Sequence, residues 1–411
     1  MSSLPVLVLN SGSSSIKFSG YEACEGERTK LFEGAVDGIG TDLGKFWIRD
    51  SARDAARDAA SDAAGKKQAD QTVALPTLAA AFGLVAGALN SGEFPAPGAI
   101  GHRMVCGGST VLENQRITPE LIDEMERYKA FAPLHTPIAV YIMREALRLF
   151  PGVPNFVCLD SYFHRTMPEV ATHMPIPEEY SAMGVRRFGA HGLSYESIVH
   201  QLEPHVPKRL IAAHLGNGAS ISAIRDGQSL DTSMGLTPTG GLISGTRTGD
   251  IDPGVLLFIL RKIAEKTNSA AEAADQLEIV ANKKAGLLGV SGLSNDMRDL
   301  REAIKRGDAR ARLAVDKFTW TIAKWIGSYV AELGGLDMLV FTGGIGENDI
   351  DSRAEICAGL HALGIVLDAE RNNTPGAAVI SADDSPVTVR VIAPAEDLMI
   401  VNHVVRLLGE K

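Results

Sequence analysis

Two small-residue turns, half a chain apart, carry the residue types that cradle phosphate. The first runs Asn10-Ser11-Gly12-Ser13-Ser14-Ser15-Ile16-Lys17, the second His214-Leu215-Gly216-Asn217-Gly218-Ala219-Ser220-Ile221. Shifted by 205 positions, Ser15 falls on Ser220 and Ile16 on Ile221. Glycine and serine let a backbone approach a ligand closely and aim N–H and O–H groups at it. Phosphate nests are built this way. One such turn in each half predicts a duplicated fold that grips one polyphosphate.

Other residues could supply charge. Arg247 is the only basic residue in the glycine-rich stretch 237–254. A long loop with no helix or strand pattern is usually functional or disordered; as a plain surface turn it would carry a solvated Arg247. Arg103 follows a strand-like run and precedes Gly107-Gly108, at a strand end where ligands collect in α/β sheets. Its guanidinium suits two-pronged binding of carboxylate or phosphate, or a structural ion pair. Asp160 ends an apolar run and could hold Mg²⁺, orient an arginine, or cap a helix. His191, in a basic loop between Gly189 and Gly192, could donate to a transferring phosphoryl group. The segment Thr342-Gly343-Gly344-Ile345-Gly346-Glu347-Asn348 follows an apolar run. It reads as the strand, glycine turn and helix of a nucleotide site, without the GxxxxGK[ST] loop. Glu396 opens the last helical pattern, as a first-turn acid favoured by the helix dipole or as a metal ligand.

Strands must present these residues at their ends. Residues 4–36 read as strand, turn, strand and further strand. Strand patterns recur at 99–106, 156–159, 209–215, 219–225 and 336–341. Helical patterns fall at 75–91, 118–130, 136–149, 194–202, 255–265, 270–283, 299–306, 308–333 and 396–408. Thr136 is expected to cap its helix, with Pro137 in the first turn. Alternating strands and helices predict α/β layers. The Ala/Asp/Arg tract 51–70 has high helix propensity but almost no large apolar face; it reads as a solvated helix or a mobile insert, not a site.

Bulk properties narrow the partners. A net charge of −10 argues against nucleic acid or a membrane surface as partner. Anionic substrates then need local basic residues or a metal. The run 4–9 is too short for a secretory signal, and 78–89 is too short and too rich in Ala and Gly to span a bilayer. Cys24, Cys106, Cys158 and Cys357 are scattered, with no CxxC pair; a reducing cytoplasm fits.

Taken together the motifs resemble the acetate kinase family of acyl-phosphate kinases. The resemblance rests on Asn10 to Lys17, His214 to Gly218, Asp231-Thr232-Ser233-Met234-Gly235 through Asp252-Pro253, and Phe341 to Asn348. Gly101-His102-Arg103, Asp160 with Phe163-His164, and Ser291-Gly292 through Asp296-Met297-Arg298 also align. It spans the chain in order, apart from the Ala/Asp/Arg tract. It implies an α/β, duplicated ribonuclease H-like two-domain fold of the actin, sugar-kinase and chaperone superfamily, with an interdomain cleft. Residues 1–160 plus 396–411 would form the acyl/phosphate-side domain and 161–395 the nucleotide-binding domain. The implied reaction is reversible in-line transfer from ATP to a short carboxylate, giving acyl phosphate and ADP. Mg²⁺, with Mn²⁺ as a substitute, and a homodimer are implied too.

By matching position, Arg103 and Arg247 would bracket the carboxylate and the phosphoryl, His191 would donate to that phosphoryl, and Asp160 would orient the arrangement. Glu396 would serve the metal, with Asn10 nearby. Ser13, Ser15 and Lys17 would line the first phosphate turn, Lys17 counting among the nucleotide-binding residues. His214, Leu215, Gly216, Asn217 and Gly218 would line the second. Asp296, Met297, Arg298, Gly343, Gly344, Ile345, Gly346 and Asn348 would hold the nucleoside. Val105, Leu134, Ala190 and Pro238 would surround the acyl group.

Several positions depart from the family pattern. Cys106 replaces a histidine, Ala190 an aromatic residue, Thr239-Gly240 a Leu-Glu pair, Met297 a phenylalanine and Tyr195 a histidine. Ala190 should leave space beside the acyl methyl, which predicts acetate as the main substrate with propionate tolerated. A propionate- or butyrate-preferring kinase, and a catalytically impaired nucleotide-binding protein of the same fold, are the alternatives.

Overall fold

The computed structural model describes residues 3–12, 14–51 and 67–410. The chain divides into two compact units, Met1–Tyr162 with Ala395–Lys411, and Phe163–Pro394.

The first unit is built on an eight-stranded sheet. Strands β1 (Leu4–Ser11), β2 (Ser15–Cys24), β3 (Glu27–Asp37), β4 (Thr41–Asp50) and β5 (Lys67–Leu75) run antiparallel in succession. The chain then crosses through helix Leu78–Leu89 to β6 (Ala99–Met104), parallel to β1. A parallel neighbour requires such a crossover. Next comes β8 (Asn155–Leu159), parallel to β6, with the short β7 (Gln115–Arg116) at the edge. Val6 to Leu9 are all buried, because both faces of β1 are covered. One face packs Leu7, Leu9, Ile16 and Phe18 with Phe82, Val85, Ile142 and Ala146. The other receives helix Glu396–Gly409. A Cβ on Gly101 would lie 2.4 Å from Ile400 Cγ2, so glycine is required for this close approach. That approach sets Glu396, the helix's first residue, near the ends of β1 and β6.

The second unit carries β9 (Arg209–Leu215), β10 (Ala219–Arg225), β11 (Gln228–Thr232), β12 (Met338–Thr342) and β13 (Thr388–Val391), in spatial order β11-β10-β9-β12-β13. β9, β10 and β11 are antiparallel, while β9, β12 and β13 are parallel. Side chains alternate: Ile211, Ala213 and Leu215 meet helix Ala309–Leu333, while Leu210 and Ala212 meet Tyr195, Ile198 and Leu202. That long helix offers Ala311, Ala314, Val315, Phe318, Ile322, Ile326 and Tyr329, spaced by three and four.

The inner five strands of the first sheet, β3-β2-β1-β6-β8, repeat this order and these directions. The duplicated ribonuclease H-like α/β fold expected from the sequence is therefore present.

Local expectations fared unevenly. Residues 52–66 of the Ala/Asp/Arg tract lie outside the described residues. Its end, however, belongs to β5, because pairing with β4 overrides the weak local alternation. Residues 228–232 and 388–391 are likewise strands made by pairing. Thr136 does not cap its helix. His135 occupies the cap position, and the Thr136 amide already donates to Ala132 O at 2.9 Å, extending the preceding turn. Among the described residues the buried Thr136 hydroxyl has no hydrogen-bond partner. Among the described residues no helix is long and apolar enough to cross a membrane.

Candidate active site

In the first unit, neighbouring strand ends gather Asn10, Arg103 and Asp160. Leu9 pairs with His102 across β1 and β6, and Arg103 with Cys158 across β6 and β8. Arg103 grips Asp160 with two prongs, Nε to Oδ1 at 3.1 Å and Nη2 to Oδ2 at 2.6 Å. Its Nη1 donates to Asn10 Oδ1 at 3.1 Å. The Asp160 amide donates to Met104 O at 2.8 Å, and Asp160 is wholly buried. Of the roles open in the sequence, the geometry gives this carboxylate the orientation of an arginine. Charge-assisted two-pronged pairs of this kind fix geometry as well as energy.

Glu396 lies 4.0 Å from Arg103 Nε. Burial pushes its carboxyl upward; Arg103 and Lys17 act against that, Asp160 adds to it, and a hydrogen bond from Asn10 lowers it, with a net rise. Asp397, which accepts from Ser19 Oγ at 2.7 Å, is also raised, chiefly by burial. Asp160, Glu396 and Asp397 are thus matched by Arg103, Lys17 and Lys30. Mg²⁺ takes oxygen donors, typically one or two from protein and the rest from phosphate and water. Glu396 and Asn10 supply such oxygen donors, so they fit a magnesium ion that takes its other ligands from phosphate and water. Val105 and Cys106 are buried just beyond β6, and Leu134 is half-buried before helix Thr136–Leu149. Burial pushes the Cys106 thiol up to about 11, so it is a packed, protonated group. His102, buried against Asn155, is held neutral, its ring pushed down to about 4 by burial.

In the second unit, His191 adopts a left-handed backbone, φ 58° and ψ 21°, just before helix Gly192–Leu202. Non-glycine residues seldom do so outside functional or tight-turn positions. Its ring stacks on His214, with centroids 4.3 Å apart. Gly218, in the turn between β9 and β10, lies under two cationic or donor groups. A Cβ built there would sit 3.4 Å from both Arg247 Nη1 and His191 Nε2. Arg247 Nη1 also donates to Pro238 O at 3.4 Å.

The loop that carries Arg247 has little regular structure, yet its backbone is tied down. Asp250 and Gly241 bond each other, Asp250 N to Gly241 O at 2.8 Å and Gly241 N to Asp250 Oδ1 at 2.7 Å. Helix Ala270–Ile279 widens at its end into a π turn, Val280–Lys284, a feature frequent at functional sites. There Ala281 O accepts from Thr248 N at 3.1 Å and Asn282 O from Thr246 Oγ1 at 2.8 Å. Gly245 N donates to Asn217 O at 2.9 Å, joining this loop to the second cradle.

The residues expected at the nucleoside also gather in this unit. Asn295 Nδ2 donates to Asn217 Oδ1 at 2.9 Å, linking the 214–218 turn to Asp296. Gly343, at φ +77°, is packed so tightly that a Cβ would lie 2.9 Å from Leu215 O. Asn348 Nδ2 bonds back to Gly344 O at 2.9 Å, closing the short helix Gly343–Asn348 with Ile345 and Gly346 inside it. Asp296 caps helix Met297–Lys305 and holds the exposed Arg298. Two assigned side chains point elsewhere: Met297 and Leu215 lie in the hydrophobic core, so only their backbone can face a ligand. Gly216 and Asn217 are accessible. Ser13 is outside the described residues.

Sequence reasoning missed the supports. Arg301 bridges Asp349 (Nε to Oδ2, 3.1 Å) and Glu355 (Nη1 to Oε1, 2.8 Å). Buried Arg353 bonds Gly346 O at 2.9 Å and Glu347 O at 2.8 Å, where a cation suits the end of a helix. Neither has a local signature. Ser220 had one, as the counterpart of Ser15.

Comparison with known proteins agrees with this arrangement. A model of the acetokinase family matches residues 5–402. An acetate kinase of Phocaeicola vulgatus is 39% identical over 420 aligned positions, covering 99% of this chain and 100% of the relative. The crystal structure of Porphyromonas gingivalis acetate kinase is similar with a TM-score of 0.81 at 36% identity, covering 98% of this chain and 100% of the other. That of a propionate kinase from Francisella tularensis gives 0.85 at 33%, with the same coverage. A match that takes in both phosphate cradles, the Arg247 loop and the returning C-terminal helix makes this chain a member of the acetokinase family.

Proposed function

We propose that this chain transfers the γ-phosphoryl group of ATP to the carboxylate of acetate, and of propionate less efficiently, giving acyl phosphate and ADP. The observation that carries the reading is the pairing of Arg247 Nη1 and His191 Nε2 over the bare backbone of Gly218. There an anionic phosphoryl group meets a fixed cation and an N–H donor with no side chain in the way. Arg103, held by Asp160 and Asn10, binds the carboxylate. At pH 7 a carboxylate is already ionised and needs no general base, so placement and positive charge supply the catalysis. Asn10 and Glu396 would hold Mg²⁺, which would supply charge neutralisation to phosphate. Asn217, the Gly343–Asn348 turn and Asp296 with Arg298 hold the nucleotide. Val105 and Leu134, in the same unit as Arg103, supply apolar surface for the acyl group.

Trapping acyl phosphate as the hydroxamate, with a series of carboxylates, tests this. We expect kcat/KM to be highest for acetate and about tenfold lower for propionate, since one methylene is worth only ~1–3 kcal/mol. Butyrate at least as good as acetate would overturn the acetate assignment. ATP binding without acyl phosphate from any carboxylate would overturn the activity and favour a nucleotide-binding role.

A second copy of the chain is the proposed partner, and the cytoplasm the proposed compartment; the four cysteines form no disulfide. Helix Pro253–Ala264 buries none of its residues, and it exposes Leu257 and Phe258. Helix Ala309–Leu333 exposes Trp320 at 69%. Large apolar side chains left out in this way suit an interface. Sedimentation should give twice the 43.6 kDa chain mass, with Phe258→Glu shifting it toward monomer; a monomeric parent protein refutes the partner.

A further inference from the structure

Tyr195, Ser220 and Ser194 are fully buried polar groups behind two imidazoles. His191 and His214 stack with planes 27° apart. Each ring turns Nδ1 to a serine hydroxyl, His191 to Ser220 Oγ at 2.8 Å and His214 to Ser194 Oγ at 2.8 Å. Each turns Nε2 to a glycine of a turn assigned to the nucleotide. A Cβ on Gly218 would lie 3.4 Å from His191 Nε2, and one on Gly343 would lie 3.2 Å from His214 Nε2. Ser220 Oγ also meets the Tyr195 hydroxyl at 2.5 Å.

A neutral imidazole carries one N–H, and the hydrogen bond made by one nitrogen decides where it sits. A buried phenol gives its proton to an acceptor. Donation from Tyr195 to Ser220 Oγ leaves the serine hydrogen aimed at His191 Nδ1. That nitrogen then accepts, and the ring hydrogen rests on Nε2. Ser194 can act on His214 in the same way. The opposite polarity would turn an Nε2 lone pair toward phosphate oxygens, which is repulsive.

We infer that Tyr195–Ser220 and Ser194 are positioning residues that lock His191 and His214 in the Nε2–H tautomer. The stacked pair thereby offers two adjacent N–H donors to phosphate oxygens. This inference rests on the phosphoryl-transfer reading above. It also gives Tyr195, which departs from the family pattern, a part in the reaction without touching substrate.

The test is histidine-ring ¹⁵N NMR of the full chain without substrate, read beside steady-state kinetics. His191→Gln and His214→Gln assign the two rings. Both should be Nε2–H tautomers in the parent protein. Ser220→Ala should shift His191 toward Nδ1–H and leave His214 unchanged; Ser194→Ala should do the reverse. In Ser220→Ala, kcat should fall about 10- to 100-fold, below the ~10⁴ that a wholly wrong tautomer can cost, with KM for ATP and acetate unchanged. A role confined to packing would leave the tautomer as it is. If Ser220→Ala does not fold, Tyr195→Phe decides, and a mixed His191 tautomer is expected. An Nδ1–H tautomer at His191 in the parent protein, or no change in the folded variants, overturns the lock. A parent protein that makes no acyl phosphate overturns the reaction instead, while the spectra still judge the lock.

Discussion

Arg103→Ala is expected to lower kcat by about 10²–10³-fold, the usual cost of losing one group aimed at developing charge. It should also destabilise the protein by about 3–5 kcal/mol, because removing one partner strands a buried charge. Both effects follow from one geometry. Arg103 is the shared partner of Asp160 and Asn10, and Glu396 stands 4.0 Å away. Without the guanidinium, Asp160 is a wholly buried carboxylate beside a second one. Arg103→Lys should recover more stability than rate, since an ammonium neutralises charge but cannot span Asp160 with two prongs while reaching Asn10. Hydroxamate kinetics and urea denaturation separate the two effects. An alanine variant keeping more than about a tenth of the parent rate sinks the catalytic role on the scale above. An unchanged denaturation midpoint sinks the ion-pair argument.

Arg247→Ala should lose a similar factor in kcat, about 10²–10³, with stability within ~0.5 kcal/mol of the parent. The contrast with Arg103 is the informative part. The Arg247 loop is held by main-chain bonds at Gly241, Gly245, Thr248 and Ala285, to which the guanidinium adds a long bond, 3.4 Å to Pro238 O. The variant should therefore keep a guanidinium-shaped gap above Gly218, and added guanidinium ion should restore part of the rate. A large drop in stability would show that the side chain holds the loop. Full retention of kcat would remove Arg247 from the chemistry.

Much of this was legible in the sequence because it is local. Apolar periodicity located β1, β2, β6, β8, β9, β10 and β12 and the long helix 309–333, since burial leaves its spacing in the chain. Small residues marked both cradles and the Gly343 turn, because only they permit such close backbone approach. Where local pattern and tertiary pairing disagreed, pairing won. β5 is polar and alternates weakly, and is a strand because β4 lies beside it. Thr136 has the composition of a cap, but the preceding turn already occupies that place. Met297 stands in a nucleoside motif and points into the core.

The sequence by itself determined the duplicated plan and the kinds of group at each strand end. It left each of those groups with several roles: Asp160 as metal ligand, arginine partner or helix cap, Glu396 as dipole partner or metal ligand. Tertiary structure added their partners by bringing distant residues within hydrogen-bond reach. Asn10 and Arg103 lie 93 positions apart yet share a 3.1 Å bond, and Tyr195 and Ser220 meet across 25 positions. Periodicity records how much each residue is buried; it does not record its hydrogen-bond partner. A partner depends on direction and distance, and only the folded chain fixes those.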